Sequence, residues 1–335
     1  MLKLSQYKVS VIVVNYNCYT TLDDCISSIL DSKGVEELLL VDNGSIDGSM
    51  RLIDKYTDPR LKIIRLDHNI GLAAAGNLAA AQTRNPYIAF ADADAKVDPE
   101  WLGVPCFLLE THKEIGAVTC NIICSKFSDK VTHDSARVLL DGHEWIDIPN
   151  GKRIPYFRWL FPNGAAFVVK RDVWNLVKGF DPTFFVGNGD VDFGIRLWLI
   201  GYEVVMSSEG TVYHEGGGLR SRKDISSIFL FYEIKTTLSL WIKNLERKTL
   251  ITQVLPFSFF FPLMAFWRGR VMGVKGLISF MESFPSLLIS RVEVQKLRRT
   301  SDNKIMPLMR SYGIMPIQLL IQDFKLFYKK ILKRT

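Results

Sequence analysis

The sequence predicts an α/β protein: a doubly wound, mostly parallel sheet followed by a helical extension that associates with a membrane. Three observations carry that prediction. Apolar β-branched runs alternate with helix-patterned segments up to about residue 100, Gly- and Asp-rich turns close the runs, and beyond residue 225 the composition shifts to long uncharged stretches and a basic tail. Strands that alternate with helices at this spacing connect by right-handed crossovers, which makes them parallel neighbours.

The elements follow in order. "KVSVIVVNYN" is β-branched and reads as a buried first strand. Thr20 or Thr21 caps the helix "LDDCISSILDS", and Gly34 ends it. "EELLLVDNGSIDGS" is a second strand breaking into a Gly-rich turn, "MRLIDKYT" a second helix and "LKIIRLD" a third strand. "GLAAAGNLAAAQT" is an Ala-rich helix and "YIAFADAD" the fourth strand. The ligand crevice of such a sheet lies at the strands' C-terminal ends, where Asp42, Asn69 and the pair Asp92 and Asp94 fall.

From about residue 117 the texture changes. "GAVTCNIICS" and "NGAAFVVKRDVW" read as strands around a loop-rich stretch holding Gly142, Pro149, Gly151 and Pro155. "DVDFGIRLWLIGYEVVMSS" is a helix and a strand, and "TVYHEGGG" closes the globular part. The expected organisation is a globular α/β domain over 1–222, with one half to about 116 and a second over 117–222, then a hydrophobic and basic helical region over 223–335. Within the latter, Thr249 to Trp267 is uncharged over 19 residues, close to a spanning length, but Thr249, Gln253, Pro256, Ser258 and Pro262 interrupt it. "GVKGLISFMESFPSLLIS" carries Lys275 and Glu282, so interfacial or re-entrant helices fit at least as well as a span.

Charge narrows the partners. The net charge of the 335-residue chain is +7, but residues 290–335 carry 11 basic against 3 acidic residues and the remainder 31 against 32. Positive charge confined to one Leu-, Ile- and Phe-rich end suits an anionic membrane surface, and with no RRM, zinc or helix-turn-helix signature nucleic acid is not an expected partner. The terminal "FKLFYKKILKRT" interleaves cations with apolar residues in the manner of a surface-lying helix. Five cysteines (Cys18, Cys25, Cys106, Cys120, Cys124) in no metal-binding spacing read as reduced thiols, and the N-terminus lacks the pattern of a signal peptide.

The chemistry concentrates in "YIAFADADAKVDPEW". A calcium loop starting at Asp92 would need a Gly sixth and a Glu twelfth, where the chain has Val97 and Gly103. What remains is a carboxylate pair at a strand end. A nucleotide-sugar donor requires a strand-end pocket for the base, a divalent cation held by carboxylates on the diphosphate, and a base for the attacking hydroxyl. "VVNYN" and "VDNGSIDGS" are candidates for the first, Asp92 and Asp94 for the second, and the acidic pair in "NGDVDFGIRLWLIGYE" for the third. On the residues alone, Asp190 and Asp192 read first as helix caps; an ionised carboxylate is favoured at a helix N-terminus and can accept a hydroxyl proton. His214 is read either as a structural hydrogen-bonder or as a ligand, next to Gly216, Gly217 and Gly218, which allow close backbone approach to phosphate. Trp145, Trp159 and Phe161 are candidates for stacking on a sugar or for burial.

In order and spacing, "VIVVNYN", "LLLVDNGSIDGS", "NIGLAAAGN", "FADADAKVDPEWL", "NGAAFVVKRDVW", "GFDPTFF", "GDVDFGIRLWLIGY" and "VYHEGGG" resemble family 2 glycosyltransferases of the GT-A fold, in the rhamnosyltransferase-like subgroup. The resemblance implies inverting, single-displacement transfer from a nucleoside-diphosphate sugar to a hydroxyl of a glycan or lipid-linked acceptor at the cytoplasmic face of the cell membrane. It implies donor contacts from Asn15, Asn17, Asp42, Asn43, Gly44, Ser45, Asn69, Gly71, Asn77 and Asp92, with Asp42 on the base. It implies Mg²⁺ or Mn²⁺ on Asp92 and Asp94 with His214 beside it, and Asp190 as general base, with Asp192 the alternative. The family's acidic residue before the base is replaced here by Gly189. Two other classes compete. A sugar nucleotidyltransferase would show a Gly-rich phosphate loop with a basic residue after the first strand, absent from "VVNYNCYTTL"; a non-catalytic sugar-nucleotide-binding membrane scaffold would have no need to retain Asp92, Asp94, Asp190 and His214.

Overall fold

The structure, a computed structural model, describes residues 7–124, 144–148, 151–215, 226–257, 260–312 and 314. Gly216, Gly217 and Gly218, the Trp145 side chain and the basic tail beyond residue 315 lie outside the described residues. The chain divides into two compact units, Met1–Leu197 with Tyr202–Leu219, and Trp198–Gly201 with Arg220–Thr335.

The first unit is one ten-stranded sheet flanked by helices. Its first half follows the alternating pattern: β1 (Val9–Asn15), α1 (Leu22–Leu30), β2 (Val35–Asp42), β3 (Leu61–Arg65), α2 (Leu72–Gln82) and β4 (Tyr87–Asp92). The pairs β1–β2, β1–β4 and β2–β3 are all parallel. Nearly every residue of β1 and β2 is buried, as a parallel strand covered on both faces requires.

Beyond β4 the sheet becomes mixed. Its elements are β5 (Ala95–Val97), α3 (Gly103–Thr111), β6 (Ile115–Cys124), β7 (Glu144–Asp147), β8 (Arg153–Trp159), β9 (Ala166–Lys170), α4 (Arg171–Leu176), α5 (Gly189–Leu199) and β10 (Glu203–His214). The order is β3-β2-β1-β4-β9-β6-β10-β8-β7, with β5 paired to β10. β9 runs antiparallel to both β4 and β6.

Local differences from the sequence reading have local causes. Thr21 takes the N-cap position of α1 without a capping bond, because its hydroxyl donates to Ala93 O at 3.0 Å. "MRLIDKYT" becomes a 3₁₀ helix, Ser49–Lys55, that buries only Ser49 and Ile53; too little apolar face is available to carry a full α-helix. The loop-rich stretch contributes β7 and β8, and Trp159 and Phe161 are buried in the core rather than presented to a ligand. "EVVMSS" and "TVYH" form a single strand, whose register shifts between Met206 and Thr211 around Gly210 (φ +84°). A Cβ at Gly210 would meet Trp101 O at 2.4 Å, so this bulge needs glycine both for its backbone angle and for space.

The second unit contains α6 (Ser226–Asn244), α7 (Phe260–Leu297) and α8 (Asp302–Tyr312). The uncharged run does not form one helix. Leu250–Val254 is a π turn and Leu255–Phe257 a 3₁₀ turn ending near Pro256, and α7 then runs for 38 residues through Pro285. Among the described residues, the one helix long and apolar enough to cross a membrane is Val271–Leu297, C-terminal to the stretch read from the sequence.

Candidate active site

The site assembles at the C-terminal ends of β1, β2 and β4, where parallel strands stop together. On one side is a shelf of amides and small residues. Asn15, fully buried at the end of β1, donates to Ser45 Oγ at 3.0 Å and Ser49 Oγ at 2.9 Å. Asn17, in a left-handed conformation (φ +57°), accepts the Ile46 N–H. Asn43 donates to Asn69 Oδ1 at 2.9 Å and accepts the Ile70 N–H, while Asn69 Oδ1 also accepts the Gly71 N–H. These bonds tie the β2 turn to the loop before α2. Gly44 (φ +77°) allows their close approach, since a Cβ there would stand 2.7 Å from His68 Cα. Asp42 Oδ1 accepts the Ser45 N–H at 3.1 Å, and its Oδ2 faces no protein donor among the described residues. Asn77, expected among the donor contacts, spends its amide on both backbone groups of Phe180, at 2.8 and 2.9 Å. Gly71 abuts Phe185, where a Cβ would lie 2.7 Å from the ring.

The other side is acidic. β4 ends at Asp92, the chain turns, and β5 pairs antiparallel with β10 so that Ala95 lies opposite His214. That register carries the imidazole to the carboxylates: His214 Nε2 lies 3.0 Å from Asp94 Oδ1 and 3.5 Å from Asp92 Oδ2. Each of the three offers a ligand atom, all within 4.8 Å of one another. Two hard carboxylates with one borderline nitrogen suit a divalent cation of the Mg²⁺ or Mn²⁺ kind. Burial works against a charged imidazole, but the hydrogen bonds and charges of Asp92 and Asp94 outweigh it and push His214 up to about 10. Asp92 is itself pushed up by burial, partly offset by His214.

Residues that sequence reasoning passed over hold this turn. Thr21 reaches Ala93 O, Cys25 Sγ lies 3.4 Å from Asp92 O, and the Asp92 N–H donates to Ala165 O. Cys25 is fully buried in the core, and its contact with the Asp92 carbonyl has no sequence signal.

Asp190 stands in the first turn of α5. Its Oδ2 accepts the Gly164 N–H at 3.2 Å and its Oδ1 the Val191 N–H at 2.9 Å. The pull of the backbone N–H groups toward the anion, expected at this helix terminus, is present but outweighed. Burial raises the Asp190 carboxyl, the Gly164 and Val191 amides lower it only in part, and the charge of Asp92 raises it further. Asp192 differs sharply. It has no exposed surface and pairs with Arg196 Nε at 2.8 Å, while the same guanidinium donates to Val177 O and Gly179 O. Phe193, on the same turn of α5, packs on Trp174 and Phe180 with ring centroids 5.1 and 5.4 Å away. The buried ion pair and the aromatic cluster together fix the turn that presents Asp190.

Residues 10–174 match the profile of the family described as glycosyl transferase family 2, a match that ends before Asp190 and His214. Among curated relatives, the O-antigen biosynthesis protein RfbC of Myxococcus xanthus is 29% identical over 64% of this chain and 18% of its own length. A cholesterol galactosyltransferase of Borreliella burgdorferi is 30% identical over 36% of this chain and 33% of its own. The chain thus spans a third or less of the length of these two relatives. Among solved structures, a mannosyltransferase from Pyrobaculum calidifontis in complex with GDP-Man and Mn²⁺ superposes with a TM-score of 0.54 at 15% identity, covering 95% of this chain and 87% of that one. The S. aureus TarS 1-349 complex with UDP-GlcNAc gives 0.56 at 18% identity, covering 93% and 89%.

Proposed function

Through residues 10–174 this chain belongs to glycosyltransferase family 2, its fold is GT-A, and from that premise we propose that it transfers a sugar from a nucleoside diphosphate to a hydroxyl of a glycan or lipid-linked acceptor, with inversion. The observation that carries the reading is the convergence of Asp92, Asp94 and His214 within 4.8 Å at the strand ends. These residues would hold Mg²⁺ or Mn²⁺, which supplies positive charge to the departing diphosphate when bound.

The chain's own groups do the rest. The Oδ2 of Asp42, which accepts no hydrogen bond among the described residues, is an acceptor suited to an N–H on the Watson–Crick edge of a base, and Asn15 Nδ2 and the Ser45 N–H hold the carboxylate in place through its Oδ1. Asp190 accepts the proton of the acceptor hydroxyl as its oxygen bonds to the anomeric carbon and the bond to the diphosphate breaks. One displacement inverts the configuration. Asp190 rather than Asp192 is assigned the role, because a base must reach its proton and the Asp192 carboxylate is spent on Arg196. The raised Asp190 suits the task, since a carboxylate closer to the operating pH is the better base.

The glycan-assembly enzymes among the relatives and the apolar helix Val271–Leu297 support an acceptor carried at the cytoplasmic face of the cell membrane. Thermal-shift titration with a panel of nucleoside diphosphates, with and without Mn²⁺, tests the proposal. One nucleotide should stabilise the protein strongly and only with metal; saturation at about 100 times Kd corresponds to roughly 2.7 kcal/mol. Indifference to every nucleoside diphosphate in the presence of Mn²⁺ would refute it.

A further inference from the structure

We propose that α7 docks in the plane of an anionic membrane, neither crossing it nor pairing with a second copy, with the face built from Val271, Val274, Ile278, Met281, Pro285, Leu288 and Val292 in the headgroup boundary. The inference deepens the membrane placement proposed above by naming the face and its orientation.

The pattern of the helix carries it. Those seven positions recur at steps of three and four, so they share one face, and none of them is polar. Val271, Ile278, Met281, Leu288 and Val292 are exposed, as are Phe284 and Ile289 on the flanks of the same face. Together they form an apolar strip of about 30 Å. A different face of α7 is already occupied. Gly273 and Gly276 are buried, and a Cβ at Gly276 would meet Phe231 O of α6 at 2.6 Å. Leu287 is buried, Arg291 donates to Ile242 O and Leu245 O, and Gln295 donates to Lys243 O and Asn244 O. A third strip, with Lys275, Glu282, Ser286 and Glu293, is exposed and polar. A helix with one face packed, one face apolar and open and one face charged suits a boundary between water and lipid. A span would submerge Lys275, Glu282 and Glu293 in hydrocarbon.

Two observations choose lipid over a second copy. With the seven residues as the seam of a parallel, in-register coiled coil, the flanking positions that face each other would be Leu277 with Glu282, Phe284 with Ile289 and Arg291 with Lys296. That set contains no attractive charge pair and one repulsive pair, and its apolar width exceeds a two-residue seam. The charge that follows the strip is complementary to anionic lipid instead: residues 290–335 carry 11 basic against 3 acidic residues.

The experiment uses the full chain bearing an environment-sensitive fluorophore at Val274, Met281 or Leu288, each substituted singly by Cys in a background with the five native cysteines replaced by Ser or Ala. Vesicles are of phosphatidylglycerol with phosphatidylcholine, or of phosphatidylcholine alone, and brominated lipids report depth. In-plane docking predicts blue-shifted emission at all three sites on anionic vesicles and equal quenching depth. It also predicts that Ile278→Asp with Leu288→Asp lowers vesicle partition at least about tenfold. A control variant truncated after residue 317 should retain the shift at all three sites. Depth that changes steadily from 274 to 288 would mean a span and overturn the proposal. No shift at any site while the chain still floats with vesicles would leave membrane placement standing on other segments and overturn the face assigned here. Concentration-dependent shifts without lipid, tracking dimer in sedimentation, would assign the face to a second copy. Thermal melts in Mn²⁺ and nucleoside diphosphate confirm that each labelled or substituted protein is folded.

Discussion

The two sides of the strand-end crevice are built on opposite principles. On the amide shelf nearly every polar group is satisfied by a neighbour: Asn15 by Ser45 and Ser49, Asn43 by Asn69 and Ile70, and Asn17 by Ile46. On the acidic side, Asp92 and Asp94 share one imidazole, and Asp190 is raised by burial and by the charge of Asp92. The shelf is a finished scaffold and the acidic side is electrostatically incomplete. Stability should therefore reside in the first and activity in the second, because like charges are gathered at a cost in stability only where a ligand will later compensate them.

The largest effect expected from that contrast is in Asp94→Ala. Transfer should fall by about three orders of magnitude or more, as should transfer by the wild type in EDTA, while the melting temperature holds or rises. Turnover at wild-type rate in a metal-free assay would break the contrast on its acidic side. Asp190→Asn comes next, with a loss of roughly 10²- to 10⁴-fold in kcat and nucleotide affinity changed by less than about threefold. The pH profile adds a sign. A base must be ionised, and burial raises the folded-state value of Asp190 above its ordinary 3.8, so the acid limb of kcat lies higher than for an exposed carboxylate and moves or vanishes in the variant. The same shift means that ionised Asp190 opposes folding above that limb. Asp190→Asn is therefore expected to melt higher at neutral pH, which differential scanning calorimetry would show.

Shelf variants should behave the other way. Asn43→Ala leaves the Ile70 N–H without its acceptor and Asn69 Oδ1 with the Gly71 N–H alone, a cost of about 1–3 kcal/mol, with a higher donor KM and a smaller change in kcat. An Asn43→Ala protein that melts like the wild type yet has lost turnover would invert the comparison. The smallest effect belongs to Thr21→Val, which removes only the bond to Ala93 O: about 0.5–1.5 kcal/mol by denaturant titration and a modest weakening of metal affinity.

Legibility from sequence follows the same divide. The β1–β4 half was readable because each strand and helix announces itself locally, and the parallel register places Asp42 and Asp92 together at the strand ends. The position of His214 was not readable from composition. It depends on β5 pairing with β10 across more than a hundred residues, and on a bulge at Gly210 that lets β10 run on as one strand. The antiparallel entry of β9 and the strands β7 and β8 were hidden for a similar reason, since short strands in Gly- and Pro-containing sequence acquire their identity from partners rather than propensity. Asp190 and Asp192, two positions apart on one turn, look alike in sequence; only the packed fold shows that Arg196 claims one of them. In the second unit, Lys275 and Glu282 point to interfacial or re-entrant helices, and the length of α7, unbroken through Pro285, was not legible in the sequence.

The central claim, that Asp92, Asp94 and His214 form a divalent-cation site completed by a nucleoside diphosphate, is tested most directly by Mn²⁺ titration followed by electron paramagnetic resonance, with and without the nucleotide chosen by thermal shift. The account predicts one Mn²⁺ bound per chain, tighter with nucleotide, and loss of that site in Asp94→Ala and His214→Ala proteins that remain folded. Mn²⁺ binding of the same stoichiometry and affinity in all three proteins would contradict it.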